Sequence, residues 1–219
     1  MDLPRFVADV TSLSDKLSAG EPEEIISRID FVRNRLIELY KRNLVKINHS
    51  VIELVCAKHL IRYGYSVDVE KQLTEILVCD VHAEKGEGIA IVEIETGFIP
   101  PEHALDPLGY YAARIASKIA RYSKYSNQFV LATTPVSVLP IPPLFRRPPR
   151  DRRSSEVREI KKLCDKYYMN PPVTEDELLN ARVHMIYIIN TDAGKVTEMD
   201  VDSYLDRFEG LLSPDNIGL

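Results

Sequence analysis

Apolar residues recur along the first part of the chain at the spacing of helices. In "EPEEIISRIDFVRNRLIELYKRN" the apolar positions Ile25, Ile26, Ile29, Val32, Leu36 and Leu39 fall mostly three and four apart. Pro22 and two acids precede them, as at a helix start. Residues 3–44 as a whole read as helical. A break follows at "VKINHS". The next stretch, "VIELVCAKHLIRYG", is more apolar and ends at Gly64, a natural helix stop. Ser50 with Glu53 three residues on has the form of a capping box, which predicts a helix start at Ser50.

The period then shortens to two. "YSVDVEKQL" alternates as a strand does, and "EILVCDVHAEKGEGIAIVEIETGF" holds two β-rich runs around the turn residues "EKGEG", which predicts a hairpin. "DPLGYYAARIASKIARYSKYS" reads as a helix with small residues at Ala112, Ala113, Ala116 and Ala120. "NQFVLATTP" reads as an apolar strand ending at Pro135. Residues 50–135 thus predict helix, strand, strand, strand, helix, strand. The fold class is α/β, a mixed sheet flanked by helices, with a right-handed crossover between its last two strands.

Residues 136–153 change character to "VSVLPIPPLFRRPPRDRR", rich in proline and then arginine, and predict a loop. Beyond it come a helix in "SSEVREIKKLCDKYY" with Ser154 or Ser155 as cap, and a short helix in "TEDELLNA". A buried strand in "RVHMIYIIN", a strand in "AGKVTEMD" and a closing helix in "VDSYLDRFEGLL" complete the chain. No internal repeat is visible. The expected organisation is a helical segment over 1–46, a core over 47–138, a Pro/Arg-rich loop over 139–153 and an α/β extension over 154–219.

The chain's 219 residues, 45% hydrophobic, suit one α/β domain with appendages. A net charge of −5 does not advertise a nucleic-acid binder in bulk, although local charge can. Three scattered cysteines, Cys56, Cys79 and Cys164, with no CxxC pair, argue for a reducing compartment and against a zinc site. The start lacks a basic region followed by an apolar run, and no apolar run approaches ~20 residues. A soluble, cytoplasmic protein is expected. The absence of Trp, the presence of only two Gln and the abundance of Ile, Arg and Glu are thermophile-like, in the manner of archaeal proteins.

The acids carry the candidate chemistry. "IVEIETG" places Glu93 and Glu95 two apart on a strand, hence on one face. Asp80 stands between apolar residues in "ILVCDV". Pairing around the turn brings it opposite the stretch from Ile91 to Glu93. The preceding helix can carry Glu53 over the same spot. Acids are rarely buried without a partner. Clustered carboxylates bind Mg²⁺ or Mn²⁺, which relieves their repulsion and supplies hydrolytic chemistry. Alternatively, the pair is a solvated sheet face and Glu53 a capping-box acid.

Glu53, Asp80, Glu93 and Glu95, in that element order, resemble the PD-(D/E)XK nuclease superfamily over residues 50–135. Twelve residues separate Asp80 from Glu93, and "IVEIETG" resembles the family's strand that ends in lysine. The resemblance implies a restriction-endonuclease-like fold, with Asp80 and Glu93 as metal ligands and Glu53 and Glu95 in the catalytic set. Glu95 stands where the family has lysine. It cannot supply positive charge, but a glutamate can act as a base. In some members the lysine has moved to the following helix, and here that helix offers Lys118. Arg114 and Arg121 share its face and would meet phosphates. The function implied is a Mg²⁺- or Mn²⁺-dependent nuclease, with DNA the expected substrate. The alternative is an inactive nuclease-like module that binds nucleic acid or a protein.

"FRRPPRDRRSS" adds Arg146, Arg147, Arg150, Arg152 and Arg153 as an extended strip for phosphates, with Phe145 able to stack on a base. His49 lies beside the Glu53 helix and His82 two residues after Asp80. Both read more readily as structural. Tyr110, Tyr111, Tyr122 and Tyr125 read as packing. The helical segment over 3–44 offers an amphipathic surface through which a homodimer could form.

Overall fold

A computed structural model describes residues 2–208. The chain is α/β. Helix α1 spans Leu3–Ser18, α2 Glu23–Lys41 and α3 Ile47–Arg62; strands β1, β2 and β3 span Ser66–Gln72, Val78–Lys85 and Gly88–Glu95. Helix α4, Pro107–Tyr122, and β4, Gln128–Thr133, follow. Then come α5 (Ser154–Tyr167), α6 (Glu175–Asn180), β5 (Met185–Asn190), β6 (Lys195–Met199) and α7 (Val201–Phe208). The six strands run in the order β1-β2-β3-β4-β5-β6 in a mixed sheet. The element order read from the sequence over 50–135 is the observed one.

The chain divides into two compact units. Among the described residues, one holds residues 2–94 together with Ile188–Thr197, and the other Glu95–Tyr187 and residues 198–208. The division falls inside the stretch expected as a single core.

In the first unit the apolar stripes of the N-terminal helices are used internally. Phe6, Val10 and Leu17 of α1 and Ile29, Val32, Leu36 and Leu39 of α2 are buried, and Phe6 stacks on Tyr40 with ring centroids 3.8 Å apart. Asp2 caps α1 by accepting the Arg5 N–H. Helix α3 begins at Ile47, not at Ser50 as a capping box would have it. The Ser50 hydroxyl donates back to the Lys46 carbonyl from within the first turn. With the start displaced by three residues, Glu53 is no cap but a fully buried residue of the helix interior.

The β2–β3 hairpin closes at Lys85↔Gly88, with Gly86 at φ +59 in its two-residue loop. Its ladder runs antiparallel from there to Val81↔Val92. On the other side of β2, pairing with β1 runs from Ser66↔Glu84 to Val69↔Val81 and resumes at Lys71↔Cys79. Between those pairs, opposite Asp80, Glu70 takes the left-handed conformation at φ +49. That conformation is costly for a residue with a Cβ and concentrates at functional positions.

In the second unit α4 is amphipathic. It is capped by Asp106 and buries Ile115, Ala116 and Ile119. The 136–153 segment is not a free loop. It carries two single-turn 3₁₀ helices, and Leu139, Ile141, Leu144 and Phe145 are buried. Tyr204 of α7 holds it in place by accepting the Leu139 N–H at 2.8 Å. Residues 209–212 of the expected closing helix lie outside the described residues. Cys56, Cys79 and Cys164 are free and buried. Among the described residues no helix is long and apolar enough to cross a membrane.

Candidate metal centre

Helix α3 and strands β1, β2 and β3 of the first unit bring acids to one place. Helix α3 supplies Glu53, β1 supplies Glu70, and β2 and β3 supply Asp80 and Glu93. Beyond Val81↔Val92 the hairpin exchanges its regular ladder for side-chain bonds. The Asp80 N–H donates to Glu93 Oε1 at 3.2 Å, and the Ile94 N–H donates to Asp80 Oδ2 at 2.6 Å. Each carboxylate is thereby fixed by the backbone of the opposite strand.

Glu53 lies deepest. Both its carboxyl oxygens are buried, and among the described residues no N–H or O–H donates to either. Burial, then the charges of Asp80, Glu70 and Glu93, push its carboxyl well above the usual carboxylate range. Glu70 meets it carboxyl to carboxyl, a contact that becomes a hydrogen bond only when one of the two holds a proton. A buried carboxyl without a donor is costly. A proton or a cation removes that cost.

The ligand atoms of His49, Glu53 and Asp80 lie within 4.8 Å of one another. His49 and Glu53 are four residues apart on α3, hence on one helix face. Two carboxylates and one imidazole, with Glu70 and Glu93 beside them, form a donor set that suits a hard or borderline divalent cation. The buried, donorless oxygens of Glu53 fit such an ion. Burial and the negative field of these acids also raise the Cys56 and Cys79 thiols, which keeps both protonated.

The remaining candidates fall elsewhere. His82 is buried and contacts Lys71 through Nδ1 at 3.3 Å and Glu84 at 3.4 Å. Burial, with Lys71 next, lowers its pKa, so it is a neutral structural histidine. Glu95, 1% exposed, is held in the second unit. Its Oε1 accepts from Arg114 Nε at 3.0 Å and lies 2.8 Å from Lys118 Nζ. Expected as a base or second metal ligand, Glu95 is instead the counter-ion of α4. Arg114 and Lys118, one turn apart on that helix, converge on the same carboxylate oxygen. Arg121 donates to the Pro171 carbonyl at 2.5 Å and lies over the Tyr168 ring.

The arginine strip is likewise differentiated. Arg146 pairs with Asp202 at 2.7 Å and with Asp206, and Arg147 pairs with Glu156 at 2.5 Å. Arg150 and Arg153 are exposed. Arg152 is buried and donates to the carbonyls of Leu144, Arg147, Leu178 and Leu179, so it braces the segment from within. Phe145, expected to stack on a base, is buried beneath the Arg152 guanidinium.

Sequence reasoning misses one member of the centre, Glu70, and sets another, His49, aside as more readily structural. Glu70 sits in an alternating strand where parity alone directs it away from the core. His49 falls outside the helix when the start is set at Ser50. The acid of "SVDVEKQ" opposite Asp80 is the available signal for the first, and the i, i+4 spacing to Glu53 for the second.

No protein-family model, no curated protein and no solved structure matches the chain, so the functional reading rests on the geometry and chemistry of this centre.

Proposed function

We propose that the chain is a divalent-metal-dependent phosphodiesterase of the PD-(D/E)XK nuclease superfamily, with a restriction-endonuclease-like core, acting on nucleic acid and on DNA in particular. The observation that carries this reading is the buried, donorless carboxyl of Glu53 gathered with Asp80, Glu70, Glu93 and His49. Asp80 and Glu93 would hold the cation, with Glu53 and His49 completing the set. Mg²⁺ and Mn²⁺ both suit the carboxylates, and the imidazole shifts the balance towards Mn²⁺. When bound, such an ion lowers the pKa of a water and stabilises charge on a phosphoryl oxygen. The chain's own part is placement. The Asp80 and Ile94 N–H groups orient the Glu93 and Asp80 carboxylates before any ligand arrives, which spares reorganisation. Glu70 and Glu53 can share a proton that leaves as a cation enters.

One observation favours a second reading, an inactive module that binds nucleic acid or a protein. The residue in the lysine position, Glu95, is ion-paired with Arg114 and Lys118 in the second unit.

The test uses labelled single-stranded, duplex, flapped and branched DNA, and RNA, with Mg²⁺ or Mn²⁺. Wild type is compared with Asp80→Ala and Glu93→Ala, and metal affinity is measured by calorimetry on the same proteins. Loss of both cleavage and metal binding in the two variants supports the nuclease. Metal binding without cleavage of any substrate supports the inactive module. Metal affinity unchanged in both variants would falsify the centre itself.

A further inference from the structure

We propose that a second site, an arginine-lined cavity in the other unit, binds a phosphate-bearing ligand through its phosphoryl oxygens. This goes beyond the metal centre and does not depend on it. The cavity has a volume of about 620 Å³, and its polar lining comes from Arg146, Arg147, Arg150, Arg152, Arg182 and His184. The rest of the wall, Phe145, Pro148, Pro149 and Val183, is apolar. Every polar side chain on the wall can donate, and none is a carboxylate.

Arg152 fixes the character of the site. It is 8% exposed, and its Nε and one terminal nitrogen are anchored on four backbone carbonyls. The charged groups acting on it are guanidiniums, those of Arg182 and Arg147. Burial and those two like charges depress its pKa to about 10, still charged at neutral pH. Three guanidiniums thus stand around a concave surface, and two of them repel the buried one, Arg152. A phosphate relieves that repulsion, and planar guanidinium forks match its oxygens. Arg147 keeps its partner Glu156, and Arg150 touches Asp151 only at 3.8 Å. Arg182 and Arg150 are exposed at the rim and can close on a ligand.

His184 adds a neutral donor. Its Nδ1 accepts the Phe129 N–H at 2.9 Å, which places the ring proton on Nε2. Burial lowers its pKa, so that proton arrangement holds at neutral pH. The same chemistry serves a backbone or terminal phosphate of nucleic acid and a small free phosphate compound.

The experiment titrates the full chain with inorganic phosphate and with pyrophosphate in EDTA at low salt, which silences the metal centre. Labelled single-stranded oligonucleotides, with and without a 5′-phosphate, are then offered in competition. Wild type, the rim variant Arg150→Ala/Arg182→Ala and the control Arg158→Ala, an exposed residue of α5, are compared. Pyrophosphate should bind wild type and Arg158→Ala alike. Removing each rim guanidinium should weaken binding roughly tenfold, since a hydrogen bond to a charged group is worth about that factor. Displacement of the oligonucleotide by pyrophosphate identifies the occupant as nucleic acid, and pyrophosphate binding without displacement identifies a small phosphate compound. No binding of pyrophosphate at millimolar concentration, or equal binding by the rim variant and wild type, overturns the proposal. Because metal is absent, these outcomes are separate from any failure of the nuclease reading.

Discussion

Replacing Glu53 by glutamine should make the metal-free protein more stable while weakening its hold on metal. The buried carboxyl has no donor among the described residues and lies among Asp80, Glu70 and Glu93. Its folded pKa is raised above the unfolded value. A raised pKa contributes stability that is fully present below the unfolded value, near 4.5, and is lost as pH climbs through the folded value. At neutral pH the wild type therefore carries a penalty that the neutral amide avoids. Glutamine still buries a polar group, so the gain is limited to about 1–3 kcal/mol, the range for relieving an uncompensated buried group. At about 2–4 °C per kcal/mol for a chain of this size, the melting temperature in EDTA should rise by several degrees at pH 7. At pH 4 the gain should shrink. Mn²⁺ at a hundredfold its Kd should stabilise wild type by about 2.7 kcal/mol and the variant by much less. Thermal melts from pH 4 to pH 8, in EDTA and in Mn²⁺, read all of this. A variant less stable than wild type at pH 7 in EDTA, with its Mn²⁺ response intact, would refute the reasoning.

The Glu95 pair can be tested by charge exchange. Glu95→Lys sets a third cation beside Arg114 and Lys118 and should cost about 3–5 kcal/mol, whereas Glu95→Lys with Lys118→Glu should recover most of it. Equal melting temperatures for the single and double variants would rule the pairing out. Tyr204→Phe leaves the buried Leu139 N–H without its acceptor and should cost about 1–3 kcal/mol, seen as a lower urea midpoint with unchanged slope.

Periodicity carries most of the fold into view. The change from a three-and-four spacing in α2 to alternation in β1 marks real elements, and "EKGEG" marks a real hairpin. Asp80 and Glu93 are legible because a two-residue turn fixes register, and register fixes which residues face each other. The errors have specific physical causes. Ser50 can satisfy a backbone amide ahead of it as a cap or a carbonyl behind it as a helix residue. The sequence "NHSVIE" does not decide between them, and the choice also decides whether His49 joins the site. Glu70 escapes notice because strand parity assumes a regular backbone, and at φ +49 that regularity ends. Arg152 looks like its neighbours in "RRPPRDRR", yet it turns inward, since its carbonyl partners on α6 are remote in sequence. Arginine strings give the sign of a surface but not which members lie on it.

Glu93 and Glu95, two residues apart on β3 and both buried, belong to differently balanced groups. Glu95 has its neutralisation built in. Arg114 and Lys118 meet it from α4, and that group is complete without a ligand. Glu93 accepts the Asp80 N–H within a set of acids, Glu53, Glu70 and Asp80, and at its bottom the Glu53 carboxyl has no donor among the described residues. A fold gains nothing in stability from gathering like charges in its interior. One acid of the strand is answered by cations of the chain and its neighbour joins a cluster of acids, and it is on that cluster that the proposed metal centre rests. With sign reversed, Arg146 and Arg152 line one cavity wall, but Arg146 is matched to Asp202 and Asp206 whereas the charges acting on Arg152 are those of Arg182 and Arg147. Both proposals thus rest on a concentration of one sign, acids in the first unit and arginines in the second, and the metal and pyrophosphate titrations test them separately.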